Sequence, residues 1–210
     1  PEIPTYAGGL GVLAGDTVRS FADLSIDALA VSLIHRKGYF RQVLDPEGQQ
    51  QELHEDWSPE RLLEPLAPRV EIEIEARRVF VRAWCYRVRG QSGHTLPVYL
   101  LDTDLPENAE PDRSITDQLY GGDPRYRLCQ EAVLGLAGVR MLRALGHDRI
   151  DRFHLNEGHA ALAVLELLAE EQLAPPQDGA ELIACVERVR GCCVFTTHTP
   201  VPAGIDQFPL

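Results

Sequence analysis

The period of the apolar positions changes several times along the chain, and each change marks an element. Leu13, Ala14, Val18, Phe21 and Leu24 recur at helical intervals behind a glycine-rich opening, which predicts a first helix entered from a loop. "DALAVSLI" (27–34) is an apolar run of strand length, and "GYFRQ" (38–42) continues extended. Residues 45–66 are polar and carry Pro46, Pro59 and Pro65, which predicts a surface excursion. "RVEIEIEA" (69–76) then alternates strictly, and "RRVFVRAWCYRV" (77–88) and "LPVYLLDTD" (96–104) complete a local β-meander. "PENAEPDR" (106–113) reads as loop. The longest helical period covers 125–145, with Leu128, Ala132, Leu136, Val139 and Leu142 on one face.

Beyond it, "DRFHL" (151–155) and "CCVFTTH" (192–198) read as strands, and "NEGHAALAVLELLAEE" (156–171) and "DGAELIACVERVR" (178–190) as amphipathic helices. Strand and helix alternate over this half, the pattern of a parallel α/β sheet in which ligands gather at the carboxyl ends of the strands.

Composition narrows the class. A chain of 210 residues with 44% hydrophobic content can bury a core. The net charge of −12 and scattered basic residues argue against nucleic acid and anionic membrane as partners. Lys37 is the single lysine among 20 Lys and Arg. The five cysteines, Cys85, Cys129, Cys185, Cys192 and Cys193, are odd in number and at no metal-like spacing, and no stretch suits a signal peptide or a membrane span. The expectation is a reduced, cytoplasmic protein with buried thiols; Cys192 and Cys193, adjacent in a strand, would point to opposite faces.

Three short stretches carry candidate chemistry. "GGLG" (8–11) opens a helix, where bare amides and the helix dipole favour an anion, although a tight packing turn fits the same glycines. Its order is neither G-x-G-x-x-G nor a P-loop. "HLNEGH" (154–159) spans a strand-to-helix junction. There Asn156 either caps the helix or meets a ligand, Glu157 complements the dipole, and His159 is a packed residue or a catalyst. "TTHTP" (196–200) ends a strand, and the prolines after it make a rigid loop that aims His198 off the strand end. If the sheet is parallel, the polar residues of all three converge. The spacing H-x-x-E-x-H of His154, Glu157 and His159 does not match a helical zinc pair, whose histidines share a face, so no metal is expected. G-x-S-x-G is absent, and no hydrolase nucleophile is visible.

In combination, "YAGGLGVLAGD" (6–16), "GYFRQ", "DQLYGGDPRYRLCQEAVLGLAGVRMLRALG" (117–146), "HLNEGHAALAVLE" (154–166) and "CCVFTTHTPVPAGIDQF" (192–208) resemble the α-glucan phosphorylases, in their shorter bacterial and archaeal branch. The resemblance reaches from Tyr6 to Phe208. It implies the GT-B arrangement of two facing Rossmann-like domains, of which this α/β chain would be an incomplete N-terminal one with an inserted β-meander. It also implies phosphorolysis of α-1,4-glucan at the non-reducing end by inorganic phosphate, giving α-glucose 1-phosphate with retention.

Carried over position by position, the resemblance gives Gly8, Gly9, Leu10 and Gly11 the approach to substrate phosphate and the glucosyl unit through backbone amides. It gives His198 the hydrogen bond to the glucosyl residue that helps stabilise an oxocarbenium-like transition state. Asn156, Glu157 and His159 match the sugar-site block, where the muscle-type enzymes have aspartate in place of Glu157. Tyr120 and Asp123 fall in the stretch matching the active-site gate loop, shorter here.

Pyridoxal 5'-phosphate is the implied cofactor of the full-length enzyme. Its Schiff-base lysine belongs to a C-terminal domain outside this chain, and Lys37 does not match that motif, so no cofactor-binding residue is assigned. The expectation is a fragment that neither holds the cofactor covalently nor turns over glucan alone. Two alternatives stand beside this reading. A glycogen or starch synthase-like glycosyltransferase shares the fold but carries a lysine before the paired glycines, where Tyr6 and Ala7 stand. A non-catalytic glucan-binding module needs exposed aromatics, and the tryptophans are only Trp57 and Trp84.

Overall fold

The computed structural model describes residues 3, 8–38, 40–54, 57–118, 121–171, 178–199 and 208. They form a mixed α/β structure with parallel and antiparallel pairings. The chain divides into two compact units, Pro1–Ala67 with Arg82–Gly122, and Pro68–Val81 with Asp123–Leu210.

In the first unit, helix α1 (Gly8–Asp23) precedes strands β1 (Ala30–Leu33), β2 (Phe40–Leu44) and β3 (Gln50–His54) and a short helix α2 (Pro59–Leu62). Strands β4 (Glu64–Ile74), β5 (Arg77–Arg89) and β6 (Thr95–Asp102) supply the meander, of which residues 68–81 are counted in the second unit, and a one-turn helix α3 (Glu110–Arg113) follows in the first. The sheet order is β1-β6-β5-β4, with β1 parallel to β6 and β5 antiparallel to β6. Trp84, Ile34, Leu63 and Ile3 form a buried cluster beneath Trp57 and Leu100.

The helix α1 is fixed at its far end. A Cβ on Gly90 would lie 2.2 Å from the Ala22 carbonyl oxygen, so only glycine lets the β5–β6 turn approach that closely. Asp23 also accepts a hydrogen bond from the Gln91 amide at 2.7 Å.

The excursion expected over 45–66 has more structure than its polarity suggests. β2 and β3 pair as an antiparallel ribbon, Phe40 opposite His54 through Leu44 opposite Gln50. Most of its positions are exposed, so no apolar alternation announces it. Asp45 closes the hairpin by accepting from the amides of Glu47 and Gln49.

The second unit contains the tip of the β4–β5 hairpin, where Glu75 and Ala76 take φ of +50° and +59° in a two-residue turn. Then come α4 (Pro124–Ala132), a π-helical turn (Val133–Ala137), α5 (Gly138–Ala144), β7 (Phe153–Asn156), α6 (Ala163–Glu171), α7 (Gly179–Cys192) and β8 (Cys193–Thr196). The helical region of 125–145 is present but not as one α-helix. The π turn admits one extra residue and rotates the phase. Val133 and Ala137 are therefore buried, while Leu128, expected on the inner face, is exposed.

β7 and β8 run parallel, Phe153 opposite Cys193 through Asn156 opposite Thr196, joined through α6 and α7. Val139, Leu155, Ala163, Leu167 and Val189 make the core beneath them. Cys192 closes α7 and Cys193 opens β8, which corrects the expectation that both lie in a strand. All five cysteines are free, and burial pushes the Cys193 thiol up to about 11. No helix among the described residues is long and apolar enough to cross a membrane.

Candidate active site

The parallel pairing of β7 and β8 sets two chain segments side by side at the carboxyl ends of the strands, where α/β sheets collect ligands. Asn156 and Glu157 leave β7; Thr197, His198 and Thr199 leave β8. The Glu157 amide extends the ladder by donating to the Thr196 carbonyl at 2.9 Å.

Two side chains from the first segment hold the second. The Asn156 side-chain oxygen accepts from His198 Nε2 at 2.8 Å. That bond puts the proton on Nε2 and, in the neutral ring, leaves the lone pair on Nδ1. The Glu157 carboxylate turns to the same loop. Its Oε1 accepts from the backbone amide of His198, from the Thr199 amide at 2.9 Å and from the Thr199 hydroxyl at 3.2 Å. Its Oε2 accepts from the Thr197 hydroxyl at 3.3 Å.

Glu157 is only 5% exposed, yet its pKa lies below the ordinary glutamate value. The main cause is the hydrogen bond from the His198 amide, against which burial works, with the Thr199 and Thr197 bonds adding to it. A buried carboxylate with this many donors stays ionised. Glu157 also adopts φ 61°, ψ −174°, a region open mainly to glycine that costs a larger residue about 1–3 kcal/mol. The four donors offset that strain.

These contacts revise the expected roles. Asn156 belongs to β7 and bonds His198 rather than capping a helix. Glu157 faces the loop after β8, while the helix waits until Ala163, beyond a 3-10 turn over Gly158–Ala160. His159, in that turn, brings Nδ1 to 3.9 Å from Glu131 Oε1, on a carboxylate mostly buried in α4. His154 Nε2 lies 2.6 Å from Thr196 Oγ1, away from the other two members of the H-x-x-E-x-H spacing. Among the described residues no three His, Cys, Asp or Glu side chains gather as metal ligands.

Asp123 caps α4, accepting from the Tyr126 amide at 2.8 Å. Gly8, Gly9, Leu10 and Gly11 belong to the first unit, and α1 begins at Gly8. The glycines therefore form the first helical turn rather than a loop ahead of it, and the amides of that turn lack intrahelical acceptors. Tyr120, and the Tyr6 and Ala7 positions, lie outside the described residues. The sequence reading assigned no role to Thr197 and Thr199 individually; the run of hydroxyls around His198 is the signal that marks them. Their partner stands some forty positions earlier, which no local pattern reveals.

The assembly is a histidine with one nitrogen bonded to a side-chain amide, standing exposed at the strand ends beside a buried carboxylate. Such a group can hydrogen-bond a hydroxylated ligand and stabilise positive charge developing nearby.

The chain matches no family profile. Over its whole length it is homologous to known phosphorylases. It is 40% identical across 100% of its length to maltodextrin phosphorylase from Thermococcus litoralis, covering 25% of that protein. It is 40% identical across 99% of its length to glycogen phosphorylase from Mycobacterium tuberculosis, again covering 25%. It is 32% identical across 98% of its length to glycogen phosphorylase from Aquifex aeolicus, covering 29%. The chain thus spans about a quarter of the length of the curated relatives it matches.

Proposed function

We propose that this chain is part of the N-terminal catalytic domain of an α-glucan phosphorylase, a Rossmann-like GT-B half interrupted by the β-meander. The whole enzyme removes glucosyl units from the non-reducing end of α-1,4-glucan with inorganic phosphate, releasing α-glucose 1-phosphate. The observation that carries this reading is the hydrogen-bonded His198, Asn156 and Glu157 at the ends of two parallel strands, in a chain homologous along its length to phosphorylases.

In this reading His198 accepts a hydrogen bond from a hydroxyl of the terminal glucosyl residue through Nδ1 and stabilises its oxocarbenium-like transition state. Asn156 keeps the ring in one tautomer and one orientation, as second partners of catalytic histidines do. His159 belongs to the same sugar block. The amides of Gly8, Gly9, Leu10 and Gly11, at the head of α1, approach the substrate phosphate, because a helix N-terminus favours an anion. Asp123 orders the start of α4 beside the gate stretch.

Pyridoxal phosphate is the cofactor this reading implies for the whole enzyme, to which it would supply a phosphate group able to exchange a proton with the substrate phosphate. The single lysine here, Lys37, is exposed and ion-paired with Asp117 at 3.2 Å. This reading gives Lys37 no Schiff-base role. Five free thiols suit a reducing compartment such as the cytoplasm.

The test is to incubate the full-length enzyme with maltodextrin and either inorganic phosphate or a nucleotide sugar. Glucose 1-phosphate formed with phosphate alone is the expected result. Chain extension that requires the nucleotide sugar would instead establish a synthase.

A further inference from the structure

We propose that Glu157 is a positioning residue: its buried carboxylate builds the loop that carries His198, and it acts on turnover through His198 rather than by touching the sugar. Three observations converge on this. Among the described residues, the four hydrogen bonds of its carboxylate go to Thr197, His198 and Thr199. The side chain is buried, facing protein and not solvent. Its backbone sits where glycine is the natural occupant, yet a glutamate stands there, so the carboxylate does something worth keeping against that strain.

Asn156 grips the imidazole and Glu157 grips the backbone of the same residue, so the two adjacent side chains fix His198 at both ends. The division between the carboxylate oxygens makes the role separable from charge. Oε1 serves the two amides and the Thr199 hydroxyl, whereas Oε2 serves only the Thr197 hydroxyl. A glutamine can keep its oxygen on the first set and turn its NH2 toward Thr197, whose hydroxyl also accepts.

The consequence for turnover rests on the phosphorolysis reading; the consequence for the loop does not. The experiment therefore reads both in the full-length enzyme. Glu157→Gly removes the carboxylate and leaves a residue at ease with that backbone, so folding is retained. The His198 and Thr199 amides then exchange with solvent at least about tenfold faster. Phosphorolysis of maltodextrin falls about 100-fold in kcat, with KM within about threefold, as expected for a misplaced group. Glu157→Gln restores amide protection and recovers kcat to within about tenfold of the parent, since its bonds are neutral rather than charge-assisted. Combining Glu157→Gly with His198→Ala costs no more than His198→Ala alone.

Unchanged amide exchange in Glu157→Gly overturns the proposal. So does a Glu157→Gln enzyme as slow as Glu157→Gly with its amides still protected, or a double variant whose losses multiply; either outcome means the carboxylate acts on substrate directly. Should the parent enzyme show no phosphorolysis, the functional reading falls, and the amide exchange still decides whether Glu157 holds the loop.

Discussion

Asp102, at the end of β6, is fully buried and collects five donors. Arg36 meets it with both terminal nitrogens at 2.8 Å, Arg82 Nε and Trp84 Nε1 each donate at 2.8 Å, and the Asp104 amide donates at 2.9 Å. Burial is the largest single influence and would raise its pKa, but the hydrogen bonds and charge of Arg36 with the bonds from Trp84 and Asp104 together outweigh it and hold the carboxyl at about 2 against an ordinary 3.8. The displacement corresponds to about 2 kcal/mol of stability at neutral pH. Because the folded value lies below the unfolded one, this contribution is complete above roughly pH 5 and is lost as pH falls through 3.8 toward 2. Asp102→Asn leaves two arginines facing a neutral amide and destabilises the protein by about 3 kcal/mol at pH 7. Urea melts followed by tryptophan fluorescence check this, and the variant's deficit should shrink as the pH approaches 2.

The same scale shows what a sequence conceals. His198 and Asn156 stand out as polar residues at strand ends, and they do meet. Glu157 was legible as important but not in its role, because its partners lie forty positions away and the local pattern points to the helix dipole. Asp102 looks like any acid closing a strand, and its arginines come from β5 and from beyond β1.

Among elements, the helical region after Asp123 carries the sharpest constraint. A Cβ on Gly135 would lie 2.5 Å from the Ala163 amide nitrogen and 2.7 Å from the Leu162 carbonyl carbon. The π turn thus packs its backbone against the entry to α6, the helix behind Glu157. Gly135→Ala forces a main-chain shift and destabilises by about 1–3 kcal/mol. In thermal melts the substitution lowers the midpoint, whereas an unchanged midpoint would show that the close approach is not required. Apolar periodicity located this region and most of the meander, because burial on one face imposes a repeat. It missed the π turn, since one added residue shifts the phase without altering composition. It missed β3 as well, since an exposed two-stranded ribbon needs no apolar face.

For the molecule as a whole, the account joins a local assembly to a reaction. Homology along the whole chain names phosphorylases, and the β7–β8 strand ends supply a histidine held by an amide and a buried carboxylate. The mixed α/β class was legible from the alternation of strand and helix, and the residues that meet at the β7–β8 ends were legible from two short blocks, 154–159 and 196–200. The most direct test follows product by phosphorus NMR in the full-length enzyme and its His198→Ala variant, with maltodextrin and inorganic phosphate as substrates. The account predicts α-glucose 1-phosphate from the parent enzyme and a loss of about 100-fold in its rate of formation by the variant. A variant as fast as the parent, or a β-configured product, would contradict it.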